Sequence, residues 1–246
     1  MARYDFQVEK VLVYKDYKRL FTSAFLHANW LHLIFNMIAL FYFGMQLGAI
    51  LGTLGFLLTF ILGILGGVLL ALYIQRYNSG YSAIGPSAGI NAVMLACIAL
   101  VPGMRISLFF IPIPGWIIGL AYMLISIYGI RSRREGISHE AHLGGGITGI
   151  IIAVLLQPSA LQNNLWVILL MLIPSLSFIF LIVRYPHFLI LGTLKPRTNH
   201  TVEDRANIER KITEAQVDEI LEKINKKGIS SLTKKEKEAL EKYSRP

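Results

Sequence analysis

Two short segments of the chain carry side chains that together could perform nucleophilic catalysis. The segment GPSAG contains Ser87 between Gly85 and Gly89, and the segment AHLGGGITG contains His142. A serine hydroxyl is a weak nucleophile until a base accepts its proton, and a histidine with a pKa near ambient pH suits that task. Because the apolar segments hold no aspartate, we expect a serine–histidine dyad rather than a triad.

A third segment, HANWLHLIFN, offers hydrogen-bond donors that a catalytic site of this kind requires. His32 and Asn36 are four residues apart, so on a helix they share one face and both present donor groups. The tetrahedral intermediate of acyl transfer needs such preorganised donors at its oxyanion. Asn91 follows Ser87 by the same spacing of four and is expected on the same helical face.

Two pairs of glycines suggest how the serine and the histidine could meet. Gly85 with Gly89, and Gly145 with Gly149, have the small-xxx-small spacing that lets membrane helices approach closely. If these two notches face each other, Ser87 and His142 come near hydrogen-bonding distance, so the packing and catalytic interpretations are compatible. The strand–serine–helix elbow of α/β hydrolases is not expected, because no strand pattern precedes the serine.

Metal or haem binding is the alternative use of the histidines. His27, His32, His139 and His142 could in principle gather one ion, yet HEAH lacks the spacing of the HExxH zinc motif. The first two histidines also have no neighbouring carboxylate to orient them. We expect no metal and no cofactor, and a lone Cys97 allows no internal disulfide.

The elements that must position these residues are membrane helices. Hydrophobic residues make up 54% of the chain, charged residues 16%, and the mean hydropathy is +0.54, a balance typical of membrane proteins. About 20 apolar residues span a bilayer. Six segments approach that length: 29–50, 53–74, 85–102, 106–128, 141–157 and 164–184. We predict an all-α, polytopic membrane helix bundle of about six spans.

Charge and hydropathy divide the chain into three parts. These are an amphipathic N-terminal segment (1–28), a membrane domain (29–195) and a soluble tail (196–246) predicted to form a helical hairpin. Residues 1–199 carry 13 Lys/Arg and 5 Asp/Glu, whereas the tail from 200 carries 11 and 10. The excess of basic residues therefore flanks the spans, where anionic lipid headgroups explain it. No basic face with base-reading groups indicates nucleic-acid binding.

The fourth predicted span contains the segment IPIPGW at residues 111–116. Its two prolines and one glycine remove helical hydrogen bonds, which favours a kink. The simpler interpretation is a structural bend. The functional one is a helix that tilts to open a lateral gate.

Three motifs in order resemble the rhomboid family of intramembrane serine proteases. They are KRLFTSAFLHANWLHLIFN, GPSAG and AHLGGGITG, which are similar to the WR segment with HxxxxHxxxN, to GxSx and to AHxxGxxxG. The resemblance implies that Ser87 is the nucleophile and His142 the general base. It also implies an oxyanion hole formed by the Ser87 backbone N–H with His32 and Asn36, and a loop held together by Arg19.

The sequence departs from the family pattern at several positions. Only 18 residues precede the WR-like arginine, so we expect the first transmembrane helix of the family to be absent. Lys18 replaces the WR tryptophan, and Ala88 replaces a common glycine. Asn91 stands where an aromatic residue often stacks on the catalytic histidine, and we hypothesise that it hydrogen-bonds and orients His142 instead.

The resemblance implies an intramembrane endopeptidase whose partners are transmembrane protein substrates and the lipid bilayer. Substrates would enter sideways, between the HxxxN helix and the proline-containing one. A catalytically inactive relative that binds membrane clients is the alternative. We expect a multi-pass protein of a bacterial inner membrane. Two indications of its orientation in the membrane contradict each other. The positive-inside rule puts the basic, serine-bearing side in the cytoplasm, whereas the resemblance implies an active site that faces outward.

Overall fold

The computed structural model describes residues 4–108, 111–132 and 137–185, together with the single residues 220, 223, 224 and 233. The chain forms two compact units, Met1–Arg197 and Thr198–Pro246. The predicted helical tail, residues 196–246, lies outside the described residues apart from those four single positions. Its hairpin therefore stays a prediction.

The longest helix, α3 (Trp30–Gln75), contains the first two predicted spans. Its 46 residues extend for about 69 Å at 1.5 Å per residue, more than twice the hydrocarbon thickness of about 30 Å. Gly52 interrupts the helix with φ 73° and ψ 170°, a backbone conformation that glycine adopts readily. The break separates two membrane-spanning halves, residues 30–51 and 53–75.

The described residues contain four helices that are long and apolar enough to cross a membrane, with α3 as one of them. The other three are α5 (Gly115–Ser132), α6 (His139–Leu156) and α7 (Ser159–Arg184). A shorter apolar helix, α4 (Ser87–Leu100), lies among them. Because α3 provides two spans, six segments form the bundle, and the predicted helical membrane fold is confirmed.

The short helix α4 occupies the centre of this bundle. Thirteen of its 14 residues are buried, and it contacts α3, α5, α6 and α7. Small side chains make this possible, since a Cβ at Gly63 of α3 would collide with Ala92 of α4. This near-complete burial explains why the predicted third span is short, because protein rather than lipid surrounds it.

The two glycine notches do not face each other, which was the condition for their joint role in bringing Ser87 and His142 together. Gly145 and Gly149 of α6 do lie against α4, where a Cβ would strike the backbone carbonyls of Ala88 and Ala92. Gly89 instead meets the Phe60 and Ile64 positions of α3, and Gly85 precedes α4 and lies against the His32 ring. The four glycines therefore lie at three different contacts: α6 with α4, α4 with α3, and the turn before α4 with His32. This follows because α4 has neighbours on all sides.

The first four residues of the segment IPIPGW form one strand of a β-hairpin, and its last two begin α5, so the segment is not a helix kink. Strand β3 (Arg105–Leu108) pairs antiparallel with β4 (Ile111–Pro114), and α5 begins only at Gly115. The prediction of a kinked fourth span starting at residue 106 is therefore wrong. Prolines lack an N–H but fit an edge strand, whose outward N–H groups need no partner in the sheet.

The last span, α7, begins five residues earlier than the predicted start at 164. Asn164 has non-helical dihedrals (φ −129°, ψ 19°) inside it, and the side chain is used for a contact between helices. Its amide nitrogen donates to the carbonyls of Ala99 and Leu100, at 3.1 and 2.7 Å. These carbonyls end α4, so Asn164 supplies the donors that a helix C-terminus lacks.

The N-terminal segment folds back onto the loop before α4. Strand β1 (Phe6–Gln7) pairs with β2 (Ser82–Ala83), and α1 (Val8–Leu12), α2 (Arg19–Thr22) and a 3-10 helix (Ser23–Phe25) follow. The side chains of Phe6, Val8 and Val11 are buried, so this part of the segment packs inside the fold.

Arg19 ties this segment together. Its guanidinium contacts the carboxylates of Asp5 at 3.1 Å and Asp16 at 3.0 Å, and the residue is buried. The backbone N–H of Gly85 donates to the Ser23 carbonyl at 2.9 Å. The folded N-terminal segment therefore holds the turn that leads into Ser87.

Candidate active site

Ser87 is the first residue of α4 and follows a sharp turn. Gly85 has φ 111°, a left-handed conformation that a residue with a Cβ would adopt only with strain. The first N–H groups of a helix have no partner within it, and they form the positive end of the helix dipole. The half-buried hydroxyl of Ser87 is thus accompanied by backbone donors suited to a developing negative charge.

The serine and the predicted base meet directly. The Nε2 atom of His142, in the first turn of α6, lies 2.8 Å from Oγ of Ser87, although the residues are 55 positions apart. Gly145 lets α6 approach the Ala88 carbonyl so closely that a Cβ would not fit. The distance is that of a nucleophile–base hydrogen bond.

A tyrosine that sequence reasoning did not single out completes the contacts of His142. The hydroxyl of Tyr122, on α5, lies 2.8 Å from Nδ1 of His142. The Asn91 amide nitrogen donates to the same hydroxyl at 2.7 Å. The hypothesis that Asn91 hydrogen-bonds His142 is therefore corrected, because the Asn91 amide bonds Tyr122, which lies between the two. Tyr122 gives no local signal in the sequence because it lies within an apolar helix.

His32 lies beside the turn that precedes Ser87. A Cβ on Gly85 would come within 2.8 Å of Cε1 and 2.9 Å of Nε2 of His32. The Ala28 backbone N–H donates to Nδ1 of His32 at 3.3 Å, which makes Nδ1 the acceptor. The proton of a neutral His32 therefore sits on Nε2, the atom facing the Gly85 turn.

Asn36 follows one turn later on the same helix and is buried. Its Nδ2 atom has no hydrogen-bond partner among the described residues. Leaving such a buried donor unpaired costs about 1–3 kcal/mol, a penalty that an oxyanion or carbonyl oxygen would remove. The Asn29 side chain accepts from the His32 backbone N–H at 2.8 Å and so caps the start of this helix.

The remaining histidines do not assemble a metal site within the described residues, where no group of three or more His, Cys, Asp or Glu side chains has suitable geometry. The ring of His27 lies 5.3 Å from that of His32, and the His139 and His142 rings are 6.1 Å apart. Partial burial, followed by the charge of His32, lowers the pKa of His27. His27 is therefore favoured in its neutral form.

A polar cluster lies behind the catalytic pair. Glu140, two residues before His142, accepts from the Gln75 amide at 2.5 Å and from the Tyr81 hydroxyl at 3.1 Å. The same hydroxyl lies 2.5 Å from that of Ser138. Burial raises the pKa of Tyr81, and the nearby Glu140 charge adds to the effect, so the phenol stays protonated as a donor. The cluster joins the end of α3 to the start of α6.

Comparison with protein families matches two parts of the chain. Residues 14–159 match the Rhomboid domain, a range that includes every catalytic and oxyanion candidate described above. Residues 200–246 match a family of unknown function (DUF6576), which covers most of the C-terminal unit.

Two relatives carry names of the first family. "Rhomboid protein 1, mitochondrial" of Saccharomyces cerevisiae is 31% identical over 151 residues, which cover 57% of this chain and 43% of the yeast protein. "RHOMBOID-like protein 12, mitochondrial" of Arabidopsis thaliana is 32% identical over 148 residues, covering 54% of this chain and 44% of the plant protein. The matched region is thus less than half of each relative.

Proposed function

Because this chain belongs to the rhomboid family, we propose that it is an intramembrane serine endopeptidase that cleaves transmembrane segments with a Ser87–His142 dyad. The observation that carries the proposal is the 2.8 Å contact between Ser87 Oγ and His142 Nε2. Both atoms belong to helices of a membrane bundle, at the ends where those helices begin. The chain is an integral, multi-pass membrane protein.

In the proposed reaction, Nε2 of His142 accepts the proton of Ser87 as Oγ bonds to the substrate carbonyl carbon. The carbonyl oxygen becomes an oxyanion and accepts hydrogen bonds from the Ser87 backbone N–H, His32 Nε2 and Asn36 Nδ2. His142 then passes its proton to the departing amine as the C–N bond breaks. A water molecule, deprotonated by His142, hydrolyses the resulting ester and restores the serine.

The substrate proposed is a transmembrane helix of another protein. A carbonyl in an intact helix is already hydrogen-bonded and shielded, so the segment must unwind locally before Ser87 can attack. The first half of α3 exposes large apolar side chains such as Phe35 and Phe41, which face lipid in a membrane. A substrate entering from the bilayer beside this half would reach His32 and Asn36 first.

The test is cleavage in vesicles that contain the purified protein and a designed single-span substrate. The wild type should release a fragment, and Ser87→Ala should release none. A fluorophosphonate should label the wild type and leave Ser87→Ala unlabelled. Equal product from both proteins would overturn the proposal. Binding of the substrate by both proteins without any product would identify the inactive, client-binding alternative.

Which membrane holds the protein, and which side of that membrane its active site faces, are further questions for experiment. Both relatives are named as mitochondrial and lend no support to the predicted bacterial inner membrane. Orientation is measurable because Cys97 is the lone cysteine. In a Cys97→Ala background, the substitution Ser132→Cys reports which side of the membrane the start of the α5–α6 loop faces. A membrane-impermeant thiol reagent should modify it from outside intact cells if the active site faces outward.

A further inference from the structure

Tyr122 links three helices at a single hydroxyl group. It lies on α5 and reaches His142 on α6 at 2.8 Å and Asn91 on α4 at 2.7 Å. Asn91 is buried and sits one helical turn after Ser87. The four side chains thus form a continuous hydrogen-bonded chain, in the order Ser87, His142, Tyr122, Asn91.

The direction of the protons in this chain decides whether His142 can act as a base. To accept the serine proton, Nε2 must present a lone pair, so the ring proton must be on Nδ1. Nδ1–H then donates to the oxygen of Tyr122. The phenol proton must in turn find another acceptor, and among the described side chains the Asn91 amide is the group in hydrogen-bonding contact with it.

The Asn91 amide can either donate a hydrogen bond to the Tyr122 hydroxyl through Nδ2 or accept one from it through Oδ1. With Nδ2 toward Tyr122, the phenol donates to Nδ1, and the ring proton on Nε2 blocks acceptance from Ser87. The oxygen and nitrogen of an amide have nearly the same shape, and half a turn about the Cβ–Cγ bond exchanges them. With Oδ1 toward Tyr122, every hydrogen bond reverses and Nε2 becomes a base.

We propose that Tyr122 and Asn91 are positioning residues that hold His142 in the Nδ1-protonated tautomer, with Asn91 Oδ1 as the terminal acceptor of the relay. The proposal rests on the proposed proteolytic function. Neither residue touches the substrate or moves a proton out of the site. Together they supply the orientation that a carboxylate supplies in a serine–histidine–aspartate triad.

A neutral relay suits the location of this site. An ionised aspartate near the centre of a membrane helix costs about 2.5–3.5 kcal/mol on insertion scales, whereas a phenol and an amide add no charge. Tyr122 also provides an aromatic ring beside His142, with centroids 5.9 Å apart and planes inclined by 34°. The aromatic partner of His142 thus comes from α5. Asn91, which lies four residues after Ser87 and could have been that partner, is instead the last residue of the relay.

The experiment measures cleavage in vesicles and fluorophosphonate labelling for Tyr122→Phe, Asn91→Leu and the double variant. Each single change should lower kcat about 10-fold or more, the effect of losing one orienting hydrogen bond, with KM unchanged. The double variant should be no slower than the worse single one, because both changes break the same chain. Labelling of Ser87 should slow by a similar factor yet reach the same final stoichiometry.

Two further variants separate a relay from a structural contact. Ser126→Ala removes a buried hydroxyl that donates to the Tyr122 carbonyl within α5 at 3.0 Å, and it should retain wild-type kcat. Asn91→Asp keeps the acceptor and should retain at least a third of wild-type kcat. If Asn91→Asp falls to the level of Asn91→Leu, or if Tyr122→Phe retains full kcat, the relay is overturned. A wild type without Ser87-dependent cleavage would instead refute the proposed function.

Discussion

The helix that carries Ser87 and the helix segment that carries His32 and Asn36 differ sharply in their surroundings. α4 is buried along nearly its whole length. In the first half of α3, residues 30–51, only Asn36, Phe43 and Leu47 are buried, whereas Trp30 is 79% exposed and Phe41 71%. One side of the site is therefore enclosed by protein, and the other is a single helix with lipid behind it.

The enclosed side and the lipid-facing side meet two different requirements of the proposed reaction: a fixed Ser87–His142 distance, and access for the substrate. A proton passes between Ser87 and His142 only within a narrow range of distance, so their helices are packed backbone to backbone. The oxyanion donors need to be in place when the substrate carbonyl arrives, and the substrate comes from the membrane. A donor-bearing helix with few protein contacts can adjust to an incoming segment without disturbing the catalytic pair.

The largest expected effect on cleavage comes from removing the base on the enclosed side of the site. His142→Gln keeps most of the side-chain volume but removes the base, so cleavage should fall about 1,000-fold. The thermal midpoint in detergent should change little. Fluorophosphonate labelling of Ser87 checks the mechanism, because retention of fast labelling would mean that another group activates the serine.

The next largest effect tests the lipid-facing side. Asn36→Ala removes the unpaired buried donor and should lower kcat by about 100-fold. KM should stay within about twofold, since the bond strengthens only as the oxyanion forms. A raised KM at constant kcat would place Asn36 in substrate binding rather than in the oxyanion hole.

Packing itself should show the same contrast. Gly145→Ala puts a Cβ against the Ala88 carbonyl, and it should lower the free energy of unfolding by about 1–3 kcal/mol. Gly48→Ala in the first half of α3 has nothing within 4 Å and serves as the matched control. Denaturant unfolding in micelles measures both. Equal destabilisation would mean that the two regions do not differ in packing.

The smallest effect concerns the polar cluster behind α6. The folded state holds the Tyr81 proton more tightly than the unfolded state, because burial and Glu140 raise the pKa of Tyr81. Its contribution to stability is therefore complete below about pH 10 and declines as the pH rises above that value. Tyr81→Phe should flatten the decline in unfolding free energy between about pH 9 and 11. An unchanged slope would exclude Tyr81 as its source.

Sequence patterns predicted the spans well wherever hydropathy alone decides them. The two halves of α3 were predicted as separate spans, 29–50 and 53–74, because each is an apolar segment of about the length that one bilayer crossing needs. The fourth span was misplaced because the apolar residues of β3 and β4 have the same hydropathy as helix residues. Pairing of Arg105 with Pro114 depends on a hairpin that no local apolar period reveals.

The residues of the candidate site likewise include some that the sequence predicted and one that it did not. Ser87, His142, His32 and Asn36 stood out because polar groups are rare within apolar segments and three motifs occur in family order. Tyr122 did not stand out, since a tyrosine in an apolar helix is ordinarily a packing residue. Gly89, Gly145 and Gly149 lie at close helix contacts, whereas Gly85 lies in the turn before α4. Spacing alone does not say which neighbour a glycine will meet.

By itself, the sequence determined a bundle of apolar helices and the residue types available for a serine–histidine reaction, because both follow from composition and local spacing. Only the tertiary structure decided that Tyr122 stands between Asn91 and His142, that Asn164 caps α4, and that the N-terminal segment holds the Ser87 turn. These contacts join residues far apart in the chain. They depend on which helix faces which, and that choice is made by the packing of the whole bundle.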